Sequence, residues 1–126
     1  MAAGTVYVKR RGGAWILTLR GEHGRATRPL LIAELRRLLG TEDGVVVDMS
    51  EAERIDSTVI AAIIAARNEV DRDQRHRFAI LVPRTGAIAT LVVSIVGLDR
   101  VIPTVAHPET AIRSVTTPLR QQEAVT

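Results

Sequence analysis

Cysteine is absent from the 126-residue chain, which excludes disulfides, thiolate nucleophiles and thiolate metal sites and fits a reducing compartment. Aromatic residues are nearly absent as well: Tyr7, Trp15 and Phe78 are the only ones. Lysine is represented by Lys9 alone, so arginine carries almost all of the positive charge and raises the isoelectric point, although the formal net charge is only +3. Nucleic-acid binders cluster cations on one face and interleave aromatic side chains for stacking. Scattered arginines with so few rings fit a solvated surface instead, and no nucleic-acid partner is expected. Long apolar runs are missing too. Residues 1–11 hold none of signal-peptide length, and the longest stretches, 58–66 and 87–96, reach about half of a membrane span. The sequence therefore predicts a soluble, cytoplasmic protein without membrane insertion.

Catalytic signatures are lacking in the same way. With Lys9 the only lysine, there is no Gly-x-x-x-x-Gly-Lys phosphate loop. Ile55 and Val59 stand where a Gly-x-Ser-x-Gly elbow around Ser57 needs glycine. His23, His76 and His107 lie far apart, lack metal-ligand spacing and read as surface histidines. No metal, cofactor or enzymatic activity is expected.

What is present is an alternation of short strands and helices. Residues 5–9 place Val6 and Val8 on one side and Tyr7 on the other, and 14–19 resume the alternation with Trp15, Leu17 and Leu19. Gly12-Gly13 between them predicts a hairpin. Residues 21–27 read as a loop, with Thr27 a candidate N-cap ahead of Pro29. Leu31, Leu35, Leu38 and Leu39 then recur at helical spacing up to Gly40. Val45-Val46-Val47 is too short for a helix and β-branched throughout, which predicts a strand buried on both faces and closed by Asp48 and Ser50. A second, brief extended piece leads through Arg54 and Ile55 to Asp56. From Ser57 a helix carries Ile60, Ile63, Ala66 and Val70 on one stripe, with a charged, exposed end around 72–77. Residues 78–82 are another buried strand stopped by Pro83, and 86–96 a second apolar helix capped by Gly97. Val101-Ile102 reads as a short strand before Pro103, and 108–115 as a last helix. The predicted fold is α/β, a single domain over 1–115 with a mixed sheet, an N-terminal hairpin at one side, parallel crossovers from Val45 onward and about four helices. Residues 116–126 are expected to form a disordered tail.

One constellation carries chemistry. Val45 to Ser50 is followed by Arg54-Ile55-Asp56-Ser57-Thr58, which sets Asp-Ser-Thr at the mouth of an apolar helix. On one reading Asp56 or Ser57 simply caps that helix through a side-chain oxygen. On the other, the hydroxyl is exposed beside free backbone N–H groups, where an added phosphate meets a favourable dipole while Asp56 and Glu53 repel it. Modification would then rewrite the local surface charge without refolding the domain.

These residues resemble the STAS family, and most closely the bacterial anti-sigma factor antagonists, over roughly residues 6–115. Gly21-Glu22 resembles the family's Gly-Glu-Leu-Asp loop, Val45 to Ser50 its central strand, and Ile55-Asp56-Ser57-Thr58 its phosphorylation motif. Gly97-Leu98-Asp99-Arg100-Val101-Ile102-Pro103 resembles the segment after its penultimate helix. The resemblance implies a partner, an anti-sigma factor that is itself a serine/threonine kinase, and a phosphatase that resets the switch. It further implies Ser57 as phosphoacceptor, Thr58 as the less favoured alternative, and Glu22, His23, Asp56, Ser57 and Thr58 as the partner-binding residues. The pattern is broken twice: Gly24 stands where the loop has its acid, and Val59 where a small residue is common.

Two other functions compete with a phosphorylation-controlled antagonist. One is a constitutively docking STAS subunit of a signalling assembly or transporter. The other is a small enzyme or nucleotide-binding domain, against which the missing phosphate loop and acid/base cluster count.

Overall fold

The computed structural model describes residues 4–96 and 102–117. The opening hairpin pairs β1 (Thr5–Arg11) antiparallel to β2 (Ala14–His23). Its turn is made by Gly12 and Gly13 at φ 57° and 82°, a region that a side chain disfavours. Helix α1 (Arg28–Leu39) then crosses to β3 (Gly44–Ile55), α2 (Ser57–Asn68) to β4 (Phe78–Leu81), and α3 (Ala87–Val96) to β5 (Thr104–Val105). Helix α4 (Pro108–Thr116) follows. The sheet is five-stranded and mixed, in the order β1-β2-β3-β4-β5, with every pair after the first parallel. The expected α/β domain with its hairpin at one side is what forms.

Strand periodicity divides the interior between two faces. Leu17, Leu19, Val45, Val47, Met49, Phe78 and Ile80 face α1, α2 and α3, which contribute Leu31, Leu35, Leu38, Ile60, Ile63 and Val92. The opposite face is shallower: Ala14, Ile16, Val46, Ala79 and Leu81 are covered by Ala111 and Val115 of α4. Val45 to Val47 is therefore buried on both sides. Each fully buried aliphatic side chain contributes about 1.5–3 kcal/mol by its removal from water.

Several boundaries differ from expectation for identifiable reasons. Strand β3 does not stop at Asp48 and Ser50 but runs unbroken to Ile55, because β2 also extends and supplies ladder partners, from Arg20↔Glu51 to His23↔Ile55. Residues 21–23 are accordingly strand, not loop. Register shifts between Thr18 and Arg20 and between Gly21 and Glu22 bend this two-stranded extension beyond β4, which meets β3 only from Val45 to Asp48. Helix α2 ends at Asn68, so Val70 lies past it, and the charged segment Arg72–Arg77 forms a separate 3₁₀ turn. Thr27 occupies the N-cap position of α1 without capping it through its side chain. The last strand is Thr104–Val105, after Pro103 and not before it. The Pro103 carbonyl accepts from the Ile80 N–H at 2.9 Å, an edge position where the missing proline N–H costs nothing. Gly97, Val101 and residues 118–126 of the expected tail lie outside the described residues, while Thr116 still belongs to α4.

Candidate functional site

The β2–β3 extension delivers two segments to one place, the mouth of α2. Asp56 leaves β3 in extended conformation, and its N–H donates to the His23 carbonyl at 2.9 Å. Its carboxylate accepts from the Thr58 N–H at 2.8 Å, and its own carbonyl accepts from the Val59 N–H at 2.9 Å. Asp56 is thus the cap of α2. Ser57 occupies the first helical position, exposed, with no hydrogen bond to its hydroxyl among the described residues. Thr58 is exposed beside it, whereas Val59 turns inward and is fully buried in the core. The hydrogen bonds from Thr58 hold the Asp56 carboxyl below its ordinary value of 3.8, and the positive charge of Arg28 adds to them.

The segment from Glu22 to Gly24 lies alongside. Glu22 is half-buried, opposite Arg54 in the ladder, and its carbonyl accepts from the Gly4 N–H at 2.8 Å. Gly24 abuts the cap: a Cβ placed there would lie 3.9 Å from the Asp56 Cβ. His23 is not the surface histidine that the sequence suggested. It is 3% exposed, with Nε2 3.0 Å from the Arg20 carbonyl and Nδ1 3.0 Å from the Thr27 hydroxyl. A carbonyl can only accept, so Nε2 carries a proton, while Nδ1 and the Thr27 hydroxyl share the second hydrogen bond. The Thr27 oxygen in turn accepts from the Gly24 N–H at 3.3 Å. The ring therefore pins the end of β2 to the start of α1 from underneath.

Residues 22–24 and 56–58 lie side by side through the Asp56 N–H to His23 carbonyl bond, while Asp99 and Arg100 lie outside the described residues. The sequence reading missed Thr27 as a partner of His23, and missed Arg28, whose charge reaches Asp56 although they are far apart along the chain. No local signal marks either. Among the described residues no cluster of His, Asp and Glu could hold a metal ion, and no helix is long and apolar enough to cross a membrane. An open depression of about 650 Å³, bordered by Leu39, Glu42, Glu69, Asp71 and Arg77, lies at the far end of α2 from Ser57.

The family model described as Mlab, STAS domain, matches residues 6–103, most of the chain. The protein belongs to the STAS domain family. No curated protein matches this STAS domain. Solved structures match its fold. An anti-sigma factor antagonist from Mycobacterium paratuberculosis is similar at a TM-score of 0.77 and 19% identity, over 90% of this chain and 95% of that one. A candidate anti-sigma factor antagonist from Thermotoga maritima gives 0.67 and 17%, over 89% and 95%. The antagonist SpoIIAA in its unphosphorylated form gives 0.59 and 8%, over 84% and 92%.

Proposed function

We propose that this STAS domain is an anti-sigma factor antagonist, a cytoplasmic binding protein and not an enzyme. It sequesters an anti-sigma factor that is also a serine/threonine kinase, and phosphorylation of Ser57 releases that partner until a phosphatase resets it. The observation that carries the reading is the division of labour at the mouth of α2. Asp56 caps the helix, so the exposed Ser57 hydroxyl has no structural duty and is open to modification. Fold similarity to anti-sigma factor antagonists supports the same reading. Glu22, Asp56, Ser57 and Thr58 form the contact surface, with Thr58 the secondary acceptor, and His23 supports it from below.

The test compares Ser57→Ala with Ser57→Asp by calorimetry against the anti-sigma kinase, with circular dichroism to confirm folding and mass spectrometry of residue 57 after kinase treatment. Alanine adds no charge and is expected to bind like the parent. Aspartate supplies a charge of about −1, against about −1.5 to −2 for phosphate, next to Asp56. Burying that unpaired carboxylate in an interface is expected to weaken binding by about tenfold or more. If both variants bind like the parent, Ser57 lies outside the interface and a constitutively docking subunit becomes the better reading.

A further inference from the structure

Thr27 stands at the N-cap position of α1, 9% exposed, yet its hydroxyl does not cap that helix. A capping oxygen accepts the N–H of the second or third helical residue, and the second here is Pro29, which has none. Backbone holds the start of α1 instead. The Gly24 carbonyl accepts the Thr27 N–H at 3.2 Å and the Arg28 N–H at 2.9 Å. The Thr27 hydroxyl is thereby released, and it lies 3.0 Å from His23 Nδ1 and accepts the Gly24 N–H at 3.3 Å. Both backbone groups of Gly24 are thus gripped from the start of α1. On its other side Gly24 meets the cap of α2, since a Cβ placed there would lie 3.9 Å from the Asp56 Cβ. One residue earlier, the His23 carbonyl accepts the Asp56 N–H at 2.9 Å. The starts of α1 and α2 are therefore adjacent, and the Thr27 hydroxyl ties one to the other through His23 and Gly24.

We propose that Thr27 is a positioning residue for the partner surface: its hydroxyl fixes residues 22–24 at one height against Asp56 and Ser57, so that the surface is formed before a partner arrives. The proposal rests on the reading of Glu22, Asp56, Ser57 and Thr58 as that surface. Being buried, Thr27 acts through its neighbours and not by touching the partner. Glycine loses more conformational freedom on ordering than any other residue, so a strip ending at Gly24 needs a fixed point. A strip ordered beforehand gives up less entropy on docking, which strengthens binding without adding a contact. A threonine diverted from its own helix to such a strip also fits the rule that local preferences yield at functional sites.

The test compares Thr27→Val, which keeps the branched shape and drops the hydroxyl, with Thr27→Ser, which keeps the hydroxyl and drops the methyl. Without any partner, exchange of the Gly24 N–H followed by NMR is expected to quicken by about tenfold in Thr27→Val and to stay near the parent in Thr27→Ser. Binding to the anti-sigma kinase is then measured by calorimetry at a temperature where circular dichroism shows each variant folded. Affinity is expected to fall about fivefold or more for Thr27→Val and to recover with Thr27→Ser. A residue that only stabilises the fold would lower Tm and leave this affinity unmoved, and that result overturns the proposal. So does an unchanged Gly24 exchange rate in Thr27→Val, or an affinity that serine fails to restore. Should Thr27→Val not fold, backbone relaxation of the parent decides: Gly24 as rigid as Leu31 of α1 upholds the fixed point, and nanosecond motion at Gly24 overturns it. The two readings fail differently. A parent protein that does not bind the kinase removes the proposed function and this role with it, whereas a parent that binds no better than Thr27→Val removes the positioning role alone.

Discussion

At the mouth of α2 the Asp56 carboxylate accepts the Thr58 N–H at 2.8 Å, while the neighbouring Ser57 hydroxyl is left to solvent. Asp56→Ala should therefore lower the melting temperature, and Ser57→Ala should change it much less; equal losses would return the capping role to Ser57. The pH dependence follows from the lowered pKa of Asp56. Its unfolded form titrates near 3.8, its native form lower, so the unfolded chain binds the proton more readily in between. The capping contribution is complete above the unfolded value and disappears as pH falls through the native one. The gap in urea midpoint between the parent and Asp56→Ala is expected to be constant near neutrality and to close below about pH 3.8. His23 makes a different prediction. Replacing it by Ala removes both ring hydrogen bonds, to the Arg20 carbonyl and the Thr27 hydroxyl, and empties a buried position. The loss is expected to be about 1–3 kcal/mol, from the two hydrogen bonds and the lost packing. Denaturant melting with a loss under about 0.5 kcal/mol would place the ring in solvent.

Among the elements, α2 links the core to the switch. Val59, Ile60, Ile63 and Ala66 are buried, whereas the residues it shows to solvent include the small Ala61 and Ala65. Ile63 is fully buried in the larger core, so Ile63→Ala should destabilise the domain by about 2–5 kcal/mol in urea. A value near zero would mean that the helix does not bury this face. The extension of β2 and β3 matters as much as the helix, because it sets Asp56 against the His23 carbonyl. Asp48 and Ser50 look like a strand end, and the Asp48 carboxylate does accept the Ser50 N–H at 2.8 Å. The strand continues because β2 offers partners all the way to Ile55. Local turn chemistry loses to a cross-strand ladder whose other half lies thirty residues earlier, about the length of a crossover unit.

For the whole molecule, the second face of the sheet depends on one short helix. Val115 of α4 packs directly on Gly44, where an added Cβ would lie 2.7 Å from the Val115 carbonyl oxygen and closer still to its side chain. Gly44→Ala should push α4 away from the sheet and cost about 1–3 kcal/mol, the range for overpacking. Amide exchange should accelerate in α4 far more than in α2. Equal acceleration in both would mean that the faces open together. Because α4 lies on the side opposite α2, the substitution is expected to leave the Ser57 surface, and any binding measured there, nearly intact.

The element order, the mixed sheet, the hairpin at Gly12-Gly13, the double burial of Val45 to Val47 and the exposure of Asp-Ser-Thr at a helix mouth were all legible in the order of the residues. Each depends on periodicity or on backbone preferences acting over a few neighbouring residues. Tertiary structure alone decided which side chain caps α2, how far β3 runs, and that α4 covers the second face. It also buried His23 between Arg20 and Thr27 and let the charge of Arg28 help lower the Asp56 carboxyl. Those outcomes depend on pairings between residues distant in sequence. A ladder partner, a buried acceptor or an opposing charge exists only once the sheet has assembled, and nothing in the local pattern of His23 or Arg28 announces one.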